Sequence, residues 1–221
     1  MAQTLIVRSH QTPLDYPGVW QAMQLFTATR QPETPDELWF LEHTPVYTQG
    51  QAGKPEHVLH QDGTSVIQSD RGGQITWHGP GQLMIYTLLD TRRLHIGAKA
   101  LVNTLERILI NTLASLGIDT YARSDAPGIY IRHDNGEAKV AAIGLRVRQK
   151  GCYHGAALNL DCTLEPYRHI NPCGHSQQRV TRLSDLLQTV PGRNTIETLV
   201  IQETMNAFGY AAYKQASCHG R

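Results

Sequence analysis

The chain has 221 residues, 40% hydrophobic and 18% charged, with a formal net charge of +1. That length can bury a substantial core, as one large domain or two small ones. No long basic or acidic block marks a nucleic-acid surface or a polybasic membrane patch.

The opening apolar run ends at Arg8, too early for a signal-peptide core. The longest mainly apolar stretch, Leu83–Leu89, is broken by Thr87 and falls far short of the roughly 18 residues of a membrane span. A soluble, cytoplasmic protein is expected. No internal repeat, low-complexity tract or linker divides the chain, so residues 1–221 are read as one domain.

In chain order, Leu5–Arg8 reads as a strand, and Asp15 as the cap of a helix running to Arg30, with Val19, Met23 and Phe26 at helical spacing. Glu37–Glu42 and Gln82–Leu89 read as strands. The segment Arg71-Gly-Gly-Gln-Ile-Thr-Trp-His-Gly-Pro-Gly-Gln82 reads as a glycine-rich loop. Ala98–Leu116 is the clearest helix: Leu101, Leu105, Ile108, Leu109 and Leu116 share a face, and Gly117 stops it. From Pro127 to Leu160 the pattern is a β-meander, in which Gly128–Arg132 and Lys139–Arg148 flank an Asn-Gly turn and Tyr153–Leu160 follows. Asn194 and Glu197 resemble a capping box for a last helix that ends at Gly209. The expected class is α+β, with a mainly antiparallel or mixed sheet flanked by helices.

The residues that carry chemistry are few. Cys173 lies between Pro172 and Gly174, a backbone suited to a sharp corner that presents the thiol outward. A nearby cation would raise its thiolate fraction, and Lys139 is the candidate. The alternative is a buried cysteine in a turn and a solvated lysine. The glycine-rich segment can bring backbone N–H groups to a phosphate, a carboxylate or an oxyanion, or be a tight loop; it matches neither a P-loop nor a dinucleotide fingerprint. The small side chains of Ala141, Ala142, Gly144, Gly155, Ala156 and Ala157 leave a narrow slot for an extended apolar ligand or allow close packing of a helix on the sheet. Cysteines 152, 162, 173 and 218 are read as free thiols. A zinc site built on Cys152, His154, Cys162, Cys173 and His175 is disfavoured by spacing, since no C-x-x-C pair occurs and Cys-x-His is not a usual knuckle.

Four stretches in this order resemble the lipoyl(octanoyl) transferase family: Arg71–Gln82, Asp125-Ala-Pro-Gly-Ile-Tyr130, Lys139-Val-Ala-Ala-Ile-Gly-Leu145 and His169-Ile-Asn-Pro-Cys-Gly174. Trp77 and His175 depart from it, standing where a tyrosine is common. The resemblance implies the fold of biotin and lipoate protein ligases. It further implies octanoyl transfer from acyl carrier protein to a lysine of lipoyl domains, those of 2-oxoacid dehydrogenase E2 subunits and the glycine-cleavage H protein. By that likeness Cys173 holds the acyl group as a thioester and Lys139 lowers its pKa. Arg71, Gly72, Gly73, Gln74, Ile75, Thr76, Trp77 and His78 would line the acyl pocket, with Ala142, Ile143, Gly144, Gly155, Ala156 and Ala157. No metal, nucleotide or other cofactor is needed, because the incoming thioester is already activated. The rival readings are an ATP-dependent lipoate-protein ligase and a non-catalytic acyl-binding module.

Overall fold

In the computed structural model, which describes residues 3–133, 136–171 and 178–216, β1 (Thr4–Ser9) leads into α1 (Tyr16–Thr29). Strands β2 (Glu37–Leu41), β3 (Val46–Gln49), β4 (Val66–Gln68), β5 (Ile75–His78) and β6 (Gln82–Leu88) follow. Helix α2 (Ala98–Ala114) precedes β7 (Tyr121–Ala122), β8 (Gly128–His133), β9 (Gly136–Arg148) and β10 (Gly151–Asn159). Helix α3 (Arg193–Phe208) and β11 (Ala212–Gln215) complete the order. No described helix is long and apolar enough to cross a membrane.

An eight-stranded sheet runs β11-β1-β2-β6-β10-β9-β8-β7, and a three-stranded one β4-β3-β5. The larger sheet is mixed: β11, β1 and β2 pair parallel, whereas the run from β2 to β7 is antiparallel. Alternation along β6 assigns its two faces. Leu83 and Ile85 join Leu105, Ile108 and Leu109 of α2 and Ile196, Val200 and Ile201 of α3 in the main core. Met84, Tyr86 and Leu88 point the other way, onto Val19 and Met23 of α1. Helices therefore cover both faces, which explains why every residue of β6 is buried.

The Asp15 side chain caps α1, accepting from the Gly18 N–H at 2.8 Å. Gly209, with φ 73°, ends α3 in the left-handed conformation. The expected capping box at Asn194 and Glu197 is not formed. Gly192 is the N-cap, Asn194 lies inside the first turn, and Glu197 accepts from Arg193 Nε at 2.7 Å and Ser9 Oγ at 3.0 Å. An ion pair one turn along the helix thus takes the carboxylate that a box would have turned back.

Two other expectations shift. A third of the glycine-rich segment is not loop: Ile75–His78 is a strand, paired antiparallel with β3. Strand β9 begins at Gly136, which pairs with His133, so Lys139 lies within the strand rather than at its head. Asp134 and Asn135 of the expected turn lie outside the described residues.

Candidate active site

The register of β9 on β10 sets Ala142 opposite Ala157, Ile143 opposite Ala156 and Gly144 opposite Gly155. The two small-residue runs, remote in sequence, are thus one patch. It forms part of the lining of a cavity of about 430 Å³. Arg71, Gly72, Gly73, Gln74, Ile75, Thr76 and His78 contribute from the segment that contains β5, and Tyr16, Met84, Tyr86, His154 and Asn159 complete a partly polar wall.

The small residues allow close approach, but of backbone to backbone and not of a helix to the sheet. A Cβ at Gly155 would lie 2.0 Å from the Ile85 carbonyl oxygen, and one at Gly144 2.8 Å from that of Gly72. These two glycines let backbones approach, while the alanines leave space beside them. The Gly72 N–H donates to the Leu145 carbonyl at 2.9 Å and so fastens the glycine-rich segment to β9.

Trp77 does not line the cavity. Period-two alternation sends Thr76 and His78 one way and Trp77 the other, where it packs with Tyr47, Cys162 and Ile170 and meets Tyr167 edge-on at 6.1 Å.

The Arg71 guanidinium is buried, and among the described residues no carboxylate pairs with it. Its Nη2 donates to the Thr48 carbonyl, Nε to Thr48 Oγ1 at 2.9 Å, and Nη1 to the Gly72 carbonyl at 2.8 Å. Burial lowers its pKa, yet an arginine stays charged in a protein. From this cation a one-way chain of hydrogen bonds crosses the site. Thr48 Oγ1 lies 3.0 Å from His78 Nε2, and His78 Nδ1 lies 2.7 Å from Gln82 Oε1. Gln82 Nε2 donates to Asn159 Oδ1 at 2.8 Å, and Asn159 Nδ2 to the Thr181 carbonyl at 2.9 Å. An amide oxygen can only accept, so His78 carries its proton on Nδ1 and receives the Thr48 hydroxyl at Nε2. Burial first, then the charges of His43 and Arg71, holds the His78 pKa well below its ordinary value. His78 is a fixed neutral imidazole.

Beside it lie His43, pushed down to about 4 chiefly by burial, and His154, also lowered by burial. His154 adopts φ 63° and donates Nε2–H to Asp70 at 3.1 Å. Burial works against ionised Asp70, but hydrogen bonds from His154, Tyr153 and Trp20 hold its carboxyl well below the usual range.

Lys139 lines the same cavity. Its Nζ donates to the Pro127 carbonyl at 3.3 Å and sits 5.1 Å from the centre of the Tyr130 ring. Its backbone N–H donates to the Arg179 carbonyl, and its carbonyl accepts from the Thr181 N–H, both at 2.9 Å. Gln178 and Val180 also line the cavity. Cys173 lies outside the described residues, as does Cys218. Before the undescribed stretch, the Asn171 N–H donates to the His57 carbonyl at 2.8 Å. Cys152 and Cys162 are buried thiols, each pushed up to about 12 by desolvation, which leaves them poor nucleophiles.

Sequence reasoning passed over Thr48, Gln82, Asn159 and Tyr167. For Thr48, Gln82 and Asn159 the only signal was polarity in strands that prove buried, and Tyr167, in the short 3-10 turn Glu165–His169, gave none. Among the described residues no group of histidine, cysteine and carboxylate side chains forms a metal site.

Comparison with known proteins supplies the context for this arrangement. Residues 15–208 match the model of the lipoyl protein ligase A/B catalytic domain. A protein of Hahella chejuensis named octanoyltransferase is 53% identical over 188 residues, covering 85% of this chain and 82% of its own length. One of Azotobacter vinelandii with the same name is 48% identical over 206 residues, covering 91% and 90%. Among solved structures, the bipartite lipoate protein ligase of Thermoplasma acidophilum superposes with a TM-score of 0.77 at 15% identity, covering 99% of this chain and 88% of its own, a likeness of fold.

Proposed function

The chain belongs to the lipoyl protein ligase A/B catalytic-domain family and is an octanoyltransferase of lipoate biosynthesis, and from that premise we propose that it works through a cysteine thioester. In this reading residues 1–221 act as one cytoplasmic catalytic unit. Octanoyl-acyl carrier protein is the donor, and a lysine on the lipoyl domain of an E2 subunit or the H protein is the acceptor.

In the first step the Cys173 thiolate attacks the carbonyl of the carrier thioester. The carrier thiol leaves with a proton from the Lys139 ammonium, and octanoyl-Cys173 remains. In the second, the acceptor amine attacks that thioester and gives its surplus proton to neutral Lys139. An amide forms, and Cys173 departs as a thiolate. Atoms and charges return to the start, so no cofactor is consumed. The octanoyl chain lies along Ala142–Gly144 and Gly155–Ala157, with Arg71–Thr76 and His78 opposite.

The observation that carries this reading is the meeting of Lys139, the small-residue cavity and the segment just after Cys173, joined by the paired bonds from Lys139 to Arg179 and Thr181. Intact-protein mass spectrometry after incubation with octanoyl-carrier thioester tests it. Wild type should gain one octanoyl group that thioester-cleaving conditions remove. Cys173→Ser should not gain one under the same conditions, and Lys139→Ala should gain it far more slowly. A wild-type enzyme that turns over without ever being acylated, or that works from free octanoate and ATP independently of Cys173, overturns the proposal.

A further inference from the structure

The motif Asp125–Tyr130 has no part in the chemistry above, yet its central peptide stands between two charges. The Pro127 carbonyl accepts from Lys139 Nζ at 3.3 Å. The N–H of the same peptide unit, that of Gly128, donates to Glu106 Oε1 at 3.2 Å. One amide is therefore polarised at both ends, by an ammonium at its oxygen and a carboxyl group at its hydrogen. Each bond strengthens the other, the Glu106 end buried and the Lys139 end open to solvent. Glu106 comes from the buried face of α2. Burial raises its pKa, while the Gly128 N–H and the Lys139 charge pull it back toward the ionised form.

The backbone is built to hold this bridge. Gly128 has φ 142°, and a Cβ there would lie 2.6 Å from the Ala141 carbonyl oxygen and 3.1 Å from Lys139 Cε. Only glycine leaves the lysine stem room to cross the strand at that point.

We propose that Glu106 is a positioning residue for Lys139, acting through the Pro127–Gly128 peptide to fix the ammonium beside the cavity and to favour its charged form. This rests on the reading of Lys139 as the proton carrier. Other charged and titratable groups face the pair. Tyr130 of β8 lies under the ammonium, and Asp125 lines the cavity. Arg123 is paired with Asp125 and lies over Tyr130, and Arg179 is joined through its carbonyl.

The test is a titration of Lys139 by NMR in full-length enzyme labelled at lysine, comparing wild type with Glu106→Gln. Glutamine keeps an acceptor for Gly128 and removes only the charge. Loss of a negative neighbour destabilises an ammonium, so Lys139 should titrate at lower pH in the variant. Both limbs of the pH–rate profile should move the same way, with about a tenfold fall in kcat at neutral pH and KM changed by less than about twofold. Glu106→Asp, which keeps the charge, should recover most of the wild-type titration. An unchanged Lys139 titration in Glu106→Gln overturns the proposal whatever the rate does. So does an Asp variant that titrates with the Gln one; should glutamine prevent folding, an Asp variant as active as wild type but with Lys139 detached from the pH profile does the same. Failure of the thioester chemistry would show instead as a wild type that turns over without being acylated, and would leave the Glu106→Gln shift of Lys139 in place.

Discussion

At the scale of single residues, glycines that look alike in the sequence do different work. A Cβ at Gly155 would meet the Ile85 carbonyl oxygen at 2.0 Å, and backbone held in a ladder cannot step aside as a side-chain tip can. Gly155→Ala should therefore lower stability by about 1–3 kcal/mol through overpacking and slow acyl loading as β6 and β10 part. Gly192, with nothing within 4 Å of its Cβ position and φ −55°, should accept alanine at a cost of a few tenths of a kcal/mol, that of a weaker N-cap. Urea unfolding of both variants checks the contrast, and equal effects would refute it. The sequence could mark these residues as small. It could not say which smallness serves a ligand and which serves a neighbouring backbone, because that depends on a register between β6 and β10 that no local pattern encodes. The His78–Gln82 pair was hidden for the same reason, since a lone histidine in a glycine-rich stretch carries no sign of its partner.

At the scale of elements, α1 and α2 were legible because apolar residues recur at helical spacing, β1, β2 and β6 because each is a short continuous apolar run, and the β8–β9–β10 meander because turn residues punctuate it. Strand β5 was not. Four residues between glycines are too few for a period, although the split of Thr76 and His78 from Trp77 shows it once the partner strand is known. The elements are tied together by a charge the sequence did not single out. Asp36, just before β2, accepts from Arg30 at the end of α1 at 2.9 Å and from Arg93 after β6 at 2.8 Å. It also accepts from Tyr210 after α3 at 2.7 Å and from the Asp90 N–H at 2.7 Å. The carboxylate is fully buried, as is Arg30. Asp36→Ala leaves two guanidinium groups facing one another without their anion and should cost about 3–5 kcal/mol. A drop in the urea midpoint with the slope unchanged is the expected signature, and a loss below about 1 kcal/mol would mean that water or a rearranged arginine takes over the role.

At the scale of the whole molecule, the cavity exists because two sheets and helices on both faces close around β6 and β10. Local pattern marks β1 and β2 as strands but not that they pair parallel, nor β11 at all, since such pairs arise only after distant segments meet. The same enclosure removes water from His43, His78 and His154: His78 and His154 stack with Tyr16, and His43 meets it edge-on. All three imidazoles have lowered pKa values, with burial the first cause and His43 at about 4. An unfolded histidine titrates near 6.5, so between about 6.5 and about 4 the unfolded chain binds protons that the folded chain refuses. Stability must then fall as pH falls through that window and be flat in these groups above it. The share of His43 alone comes to roughly 3 kcal/mol once pH drops below its folded value. Urea unfolding at pH 7.5 and pH 5 should show a clear loss at the lower pH. A His43→Asn variant, less stable at neutral pH for want of its bonds to Tyr86 and Leu14, should lose less between the two. Equal stability of the wild type at both values would mean that protons reach these rings in the folded state, and with them enough water to make the inner wall of the cavity wet.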